Sequence, residues 1–208
     1  MAVSYETLLT ATKGTIKNCI FFIRGGQQIV RQRPFKVKNP RSEIQQLNRK
    51  NVNVLLLIFR QLKPLLYISL NDRESRHSAY NKFLSLNLNW SVINGVFYPE
   101  LLKLSTSSFE STDFEIQRNP GYTDNFVITW SNSFLTGQSL TDKLCLVYFN
   151  SDYNSFSYKI SAGIRSDYSC NASFEQKTVN SEVFLYAFFV SKDFSKSDVC
   201  SMFHFAGM

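Results

Sequence analysis

Beyond Leu101 the chain is a succession of short apolar runs broken by turn formers, and this pattern leaves few folds open. The runs read LLKLSTSS, FEIQRN, NFVITWS, KLCLVYFN, SFSYKIS, YSCNASFEQ, EVFLYAFFVS and VCSMFHF, separated by Asn119-Pro120-Gly121, Ser131-Asn132-Ser133, Asn150-Ser151-Asp152 and Lys192-Asp193. Seven or eight strands in about 100 residues is the spacing of an immunoglobulin-like or fibronectin-III-like antiparallel β-sandwich. Phe126, Ile128 and Trp130 alternate with Val127, Thr129 and Ser131, so one face of that strand is apolar. Trp130 is expected between the two sheets, against Leu144–Val147 and Phe184–Val190. The composition agrees: 19 Phe, 10 Tyr and 2 Trp make the chain 15% aromatic, with only 8 Gly, and large rings favour pleated, half-buried surfaces.

The first hundred residues have a different texture. Thr15–Ile23 and Gln28–Arg33 are strand-like and flank Gly25-Gly26, the arrangement of a β-hairpin. Two strands alone are marginal in water, so the hairpin requires a helix or a neighbouring chain. Ser42 followed by Gln45 forms a capping-box pattern, with Pro40 just upstream, and starts a helix. Ile44, Leu47, Val54, Leu55, Ile58, Phe59 and Leu62 share one side of it; Gln46, Arg49, Lys50, Asn53 and Arg60 share the other. Leu56 and Leu57 lie outside the apolar stripe, and Pro64 is expected to end or bend the helix. A second helix is expected over 74–86. The chain is thus read as α+β: a hairpin-plus-helices module over 1–100 and a β-sandwich over 101–208.

Charge separates the two regions. Residues 1–70 carry twelve Lys and Arg against Glu6 and Glu43, a net +10, whereas 71–208 carry eleven basic and fourteen acidic residues, a net −3. Such asymmetry suits a polyanion, an acidic protein partner, or the acidic end of another subunit. The candidate interaction residues are Arg24, Arg31, Arg33, Lys36 and Lys38 on or beyond the hairpin, and Arg49, Lys50, Leu56, Leu57 and Arg60 on the helix. The longest unbroken apolar run, Val183–Val190, is far short of the roughly 20 residues of a membrane-spanning helix, and the N-terminus lacks a secretory pattern. An intracellular location without a membrane partner is expected.

Chemistry-bearing motifs are few. Phosphate-binding loops, nucleophile elbows and metalloprotease motifs do not occur. His77 sits in a polar run and His204 between Phe203 and Phe205. Cys19, Cys145, Cys170 and Cys200 are scattered, with no CxxC pair; Cys145 and Cys200 lie in strand-like stretches and are expected as buried free thiols, in a reducing compartment that leaves room for one disulfide. Glu110, Asp113 and Glu115 lie close together but read as surface charge. No catalytic residue, cofactor or metal is expected.

The order of several motifs carries a resemblance. Lys13-Gly14 opens the hairpin and Arg31-Gln32-Arg33-Pro34 closes it. Asn39-Pro40, Gln45-Gln46 with Arg49, and Leu62-Lys63-Pro64 follow, then Ala79-Tyr80-Asn81, Asn87-Leu88-Asn89, Tyr98-Pro99, Thr129-Trp130-Ser131, Asp142-Lys143 and Val147-Tyr148. This resembles an uncharacterised family of small Bacteroidota and Bacteroidota-phage proteins. Cys19-Ile20-Phe21-Phe22 departs from that pattern, which is richer in glycine and smaller residues around the hairpin. The resemblance implies a hairpin-and-helix module joined to a sandwich, in a virion or prophage setting, and supplies no catalytic residues. The expected function is a non-enzymatic structural or assembly protein contacting other subunits through its basic N-terminal module. The alternative is a nucleic-acid-binding protein using the basic hairpin and helix face.

Overall fold

The computed structural model describes residues 2–4, 13–24, 26–35, 41–70, 77–106, 112–119, 123–131, 138–175 and 182–206. The chain divides into two compact units, Met1–Ser42 and Glu43–Met208.

The first unit is a four-stranded antiparallel sheet built from β1 (Ala2–Ser4), β2 (Gly14–Ile16), β3 (Cys19–Arg24) and β4 (Gln27–Gln32), in the order β1-β4-β3-β2. It is larger than a hairpin. The run expected as one strand over Thr15–Ile23 is two strands, because Lys17 adopts a positive φ of 52° and the chain reverses at Lys17-Asn18. Such a left-handed residue is what a tight hairpin turn demands. The reversal between β3 and β4 lies where the sequence puts it, Arg24 pairing with Gln27 and Gly26 at φ 76°, with Gly25 outside the described residues. Both long edges of the expected hairpin therefore have partners: β2 on β3 and β1 on β4.

The second unit begins with α1 (Glu43–Ser69) and α2 (Ala79–Asn87), continues through the short hairpin β5 (Val92–Ile93) and β6 (Val96–Phe97), and ends in seven strands. These are β7 (Phe114–Asn119), β8 (Thr123–Trp130), β9 (Lys143–Asn150), β10 (Ser155–Lys159), β11 (Ser169–Glu175), β12 (Val183–Val190) and β13 (Ser201–Phe205). They form a four-stranded sheet ordered β10-β9-β12-β13 and a three-stranded sheet ordered β11-β8-β7, antiparallel throughout. Seven of the eight apolar runs read from the sequence supply these strands. In the exception, LLKLSTSS, Leu101 closes a 3-10 turn (Pro99–Leu101) and Leu102 and Leu104 are buried outside any strand.

Every residue of β12 is buried, as is all of β9 after Lys143. A strand buried on both faces reads as a continuous apolar run rather than an alternating one, and VFLYAFFV is such a run. Leu144, Leu146, Tyr148, Val183, Leu185, Ala187 and Phe189 meet Phe114, Phe126, Ile128, Trp130, Cys170, Ala172 and Phe174 of the three-stranded sheet. Cys145, Val147, Phe149, Phe184, Tyr186, Phe188 and Val190 point the other way, into a core with Leu55, Ile58, Phe59, Leu62, Leu65, Leu66 and Phe83 of the helices. The unit is therefore three layers deep, with the four-stranded sheet in the middle.

Helices and strands consequently share one core, and the boundary falls at Ser42/Glu43 rather than near residue 100. Mixed α+β describes the whole chain. In length and composition α1 could cross a membrane, but its apolar stripe fills this protein core. The stripe also differs from the one read in the sequence. Ile44 is exposed, burial begins at Asn51, and the helix runs through Pro64 to Ser69 instead of ending there. Leu62, Leu65 and Leu66, all fully buried on either side of the proline, hold that last turn against the sheet. In α2 the Ser78 hydroxyl accepts the Asn81 N–H at 3.3 Å, an N-cap that starts the helix at Ala79. Of the helix expected from residue 74, positions 74–76 lie outside the described residues.

Trp130 lies between the sheets as expected, with its ring edge-on to Phe189 at 5.3 Å and its indole N–H donating to the Arg165 carbonyl at 2.9 Å. Truncating Trp130 to alanine removes a large buried ring and orphans that carbonyl. Urea unfolding should show a loss of about 3–5 kcal/mol; a loss below about 1 kcal/mol would show that the ring does not organise the core.

Candidate functional site

The ten candidate interaction residues divide between the two units. Arg24, Arg31 and Arg33 belong to the N-terminal sheet and are exposed. Ile20 pairs with Arg31, Phe22 with Ile29 and Arg24 with Gln27, so Arg24 and Arg31 share a face with Ile20, Phe22 and Ile29. The Arg31 guanidinium lies 5.8 Å from the Phe22 ring centroid, within cation–π range. Arg33 follows β4, its N–H donating to the Asn18 carbonyl at 2.6 Å. Lys36 and Lys38 lie outside the described residues.

Arg49, Lys50, Leu56, Leu57 and Arg60 belong to the second unit. Arg49, Lys50 and Arg60 are exposed on α1, and Leu57, three residues before Arg60, is 58% exposed. Leu56 is half-buried. One turn apart, Leu57 and Arg60 are neighbours on the helix surface, so an apolar side chain sits within a basic face.

A different cluster, which the sequence did not single out, lies inside the second unit. Arg165, in a 3-10 turn (Arg165–Asp167), is buried with Asp142 and Asp198. Its Nε is 3.4 Å from Asp142 Oδ2 and its Nη2 is 3.6 Å from Asp198 Oδ2. Nη1 donates to Thr112 Oγ1 at 2.9 Å and to Gln138 Oε1 at 3.2 Å. Thr112 in turn donates to Asp198 Oδ2 at 2.5 Å, and the guanidinium stacks 4.0 Å from the Phe189 centroid. Burial raises the carboxyls of both Asp142 and Asp198 above the ordinary value, outweighing the attraction of Arg165. One cation thus holds three connecting segments that are far apart in sequence. Asp142-Lys143 was the only hint, because no local pattern places Asp198 or Arg165 beside it.

His204 Nε2 lies 2.7 Å from Glu182 Oε1, and its ring stacks on Phe184 at 4.5 Å. His77 is exposed, and Glu110 lies outside the described residues. Asp113 and Glu115 border a hollow of about 240 Å³ with Thr129, Trp130 and Ser131. All four cysteines are free; burial pushes the Cys145 thiol up to about 12 and raises those of Cys170 and Cys200 as well, which opposes nucleophilic thiolate formation. Among the described residues no three His, Cys, Asp or Glu side chains gather as a metal would require.

The fold and its surfaces define a mixed α+β protein with a small basic sheet, a three-layer body and a buried ion cluster that ties its loops. The chain belongs to a family of unknown function (DUF6266), whose model matches residues 11–203. No curated protein matches it significantly.

Two tests follow for the ion cluster. Arg165→Ala leaves two buried carboxylates facing no cation, and breaking a buried pair in this way costs about 3–5 kcal/mol, readable by urea unfolding. The raised Asp142 and Asp198 carboxyls set the pH dependence. Their contribution to stability is fully present below the ordinary value of 3.8 and is lost as pH rises through the raised values. Asp142→Asn removes one titration. Between about pH 7 and about pH 4 the wild type should therefore gain stability relative to that variant; a constant difference contradicts the assignment.

Proposed function

We propose that the protein is a non-enzymatic structural or assembly component of a multi-subunit particle, such as a phage virion, and that its basic N-terminal unit contacts other subunits. The carrying observation is the N-terminal sheet itself. Ile20, Phe22 and Ile29 lie on one face, Phe21 and Val30 on the other, and none of these apolar side chains is fully buried. A unit of about 42 residues buries little apolar surface and is marginal without further cover. Residues 1–42 also carry eight basic residues and one acidic, a net +7, whereas residues 43–208 carry fifteen of each. The net charge of the whole chain therefore resides in residues 1–42, where no described apolar side chain is buried.

The body supports the same reading in a finer respect. The strand orders β11-β8-β7 and β10-β9-β12-β13 support the finer reading of an immunoglobulin/fibronectin-III-like sandwich. Modules of that type recur in surface and assembly proteins, although fold alone assigns no function. The Bacteroidota and phage setting rests on the sequence resemblance.

Nucleic-acid binding is the second reading, favoured by the pairing of Arg31 with Phe22 beside Arg24. Stacking rings interleaved with cations suit single strands. Mass photometry of the full chain and of Arg24→Glu/Arg31→Glu/Arg33→Glu decides the first reading: the wild type should form multimers that the triple reversal weakens. A wild type that stays monomeric with and without its native particle components rejects it. DNA binding measured across a salt series decides the second, each phosphate contact adding about 0.9 to the log–log slope on duplex DNA. If the triple reversal leaves affinity and slope unchanged, the basic sheet is not a nucleic-acid site.

A further inference from the structure

Five exposed apolar side chains of the second unit gather on the short β5–β6 hairpin and its flanks. Trp90 is 64% exposed, and Ile93, Val96, Tyr98 and Leu101 are exposed as well. The register pairs Ile93 with Val96 and Val92 with Phe97, and the Tyr98 N–H continues the ladder to the Ser91 carbonyl at 2.8 Å. Ile93, Val96 and Tyr98 therefore share the outward face, while Val92 and Phe97 pack inward on the core.

This platform is rigidly built. Buried Asn51 of α1 accepts the Gly95 N–H at 2.7 Å and donates to Asn89 Oδ1 at 3.2 Å. Buried Asn87 donates to the Phe83 and Lys103 carbonyls at 3.0 and 2.9 Å and accepts the Lys103 N–H at 2.8 Å. Asn89, Asn94 and Gly95 hold positive φ values of 63°, 54° and 83°. Two buried amides thus fix both ends of a segment whose apolar side chains face outward, and a preorganised surface loses little entropy on binding. Tryptophan and tyrosine are the residues enriched at interface centres.

Two lysines flank the platform, whose 3-10 turn also exposes Glu100. The Lys50 Cβ packs 3.7 Å from where a side chain at Gly95 would begin, and the Lys103 ammonium lies 5.9 Å from the Trp90 ring centroid. The opposite layer of the same unit has the complementary character. On β7, β8 and β11 the outward positions hold Glu115, Gln117, Asn125, Val127, Thr129, and the row from Ser169 to Glu175. Among these described positions there are two acids, Glu115 and Glu175, and no lysine or arginine. Glu115 aligns through Thr129 with Ser169, six residues from Glu175, so the two carboxylates stand roughly 20 Å apart. Between them the sheet surface carries a hollow of about 380 Å³ bordered by Asn125, Val127, Asn171 and Ser173, roomy enough for an aromatic side chain.

The geometry points to a second copy of this chain as the partner: the Trp90/Val96 platform of one subunit seats on the outer face of the three-stranded sheet of the next. Lys50 and Lys103 meet the acidic ends of that face, and Trp90 enters the hollow. The two surfaces lie on opposite layers of one body, so the contact is heterologous and propagates into a ring or filament. This inference rests on the assembly reading and adds an interface that does not involve the N-terminal unit.

Charge reversal with complementation tests it in the full-length protein. Lys50→Glu/Lys103→Glu and Glu115→Lys/Glu175→Lys, each checked for folding by near-UV circular dichroism, are run alone and mixed in sedimentation velocity. Each alone should weaken self-association at least tenfold relative to wild type, and the equimolar mixture should restore it, which a folding defect would not do. Trp90→Ala should weaken it in either background. Association unchanged by both reversals, or mixtures that remain as weak as the single variants, overturns the inference. If the N-terminal triple reversal alone abolishes association, this interface fails while the assembly reading stands. If only the platform variants do, the N-terminal contact fails instead, and a wild type that never associates rejects both.

Discussion

Burial of β9 and β12 on both faces is the constraint on which the rest of the body depends. Each strand projects apolar side chains to two sides, so neither the helices nor the three-stranded sheet is optional. Removing either layer would expose half of the most apolar surface in the chain, at about 25 cal/mol per Å². The helices therefore cannot belong to a domain separate from the strands. α1 reaches even the strand edge, where Gln61 Oε1 accepts the Phe156 N–H of β10 at 3.0 Å. That bond occupies a backbone donor on an edge strand, a common protection against unwanted pairing.

This constraint explains what was legible in the sequence. The strands were readable because their lengths and separators are local properties, and Trp130 was placeable because period-two alternation in β8 is unambiguous. The double burial was also present in principle, since VFLYAFFV does not alternate, but a continuous apolar run does not say what covers its second face. The domain boundary was misread for that reason. Pro64 was expected to end or bend α1 on local grounds, and the fully buried leucines around it prevailed over that preference. Lys17-Asn18 lacked the glycine that usually advertises a hairpin turn, so two strands read as one.

The candidate site was legible only as charge. The concentration of basic residues near the N-terminus is a composition fact, and the structure sharpens it: the surplus sits in 1–42, and the three-layer body is neutral. Grouping hairpin arginines with those of α1, as the sequence did, merged two different situations. In the sheet, Arg31 lies against the ring of Phe22, where apolar and cationic character are joined. On α1, Arg49, Lys50 and Arg60 line a helix whose other side is committed to the core. The ion cluster around Arg165 escaped notice because its members come from separate loops and obey no spacing rule.

That cluster also bears on how the body's charges can act. Asp142, Asp198 and Arg165 are consumed internally, so they contribute no field at the surface. On the helical side Lys50 and Lys103 stand beside the apolar hairpin together with exposed Glu100, and the outer sheet exposes Glu115 and Glu175. In the proposed contact, unlike charges would steer encounter and fix orientation more than they add affinity, leaving affinity to the apolar side chains of the hairpin. The basic residues of 1–42 and the apolar β5–β6 hairpin thus belong to different compact units and differ in chemistry, one joining cations to a sheet and the other holding exposed rings on two buried amides.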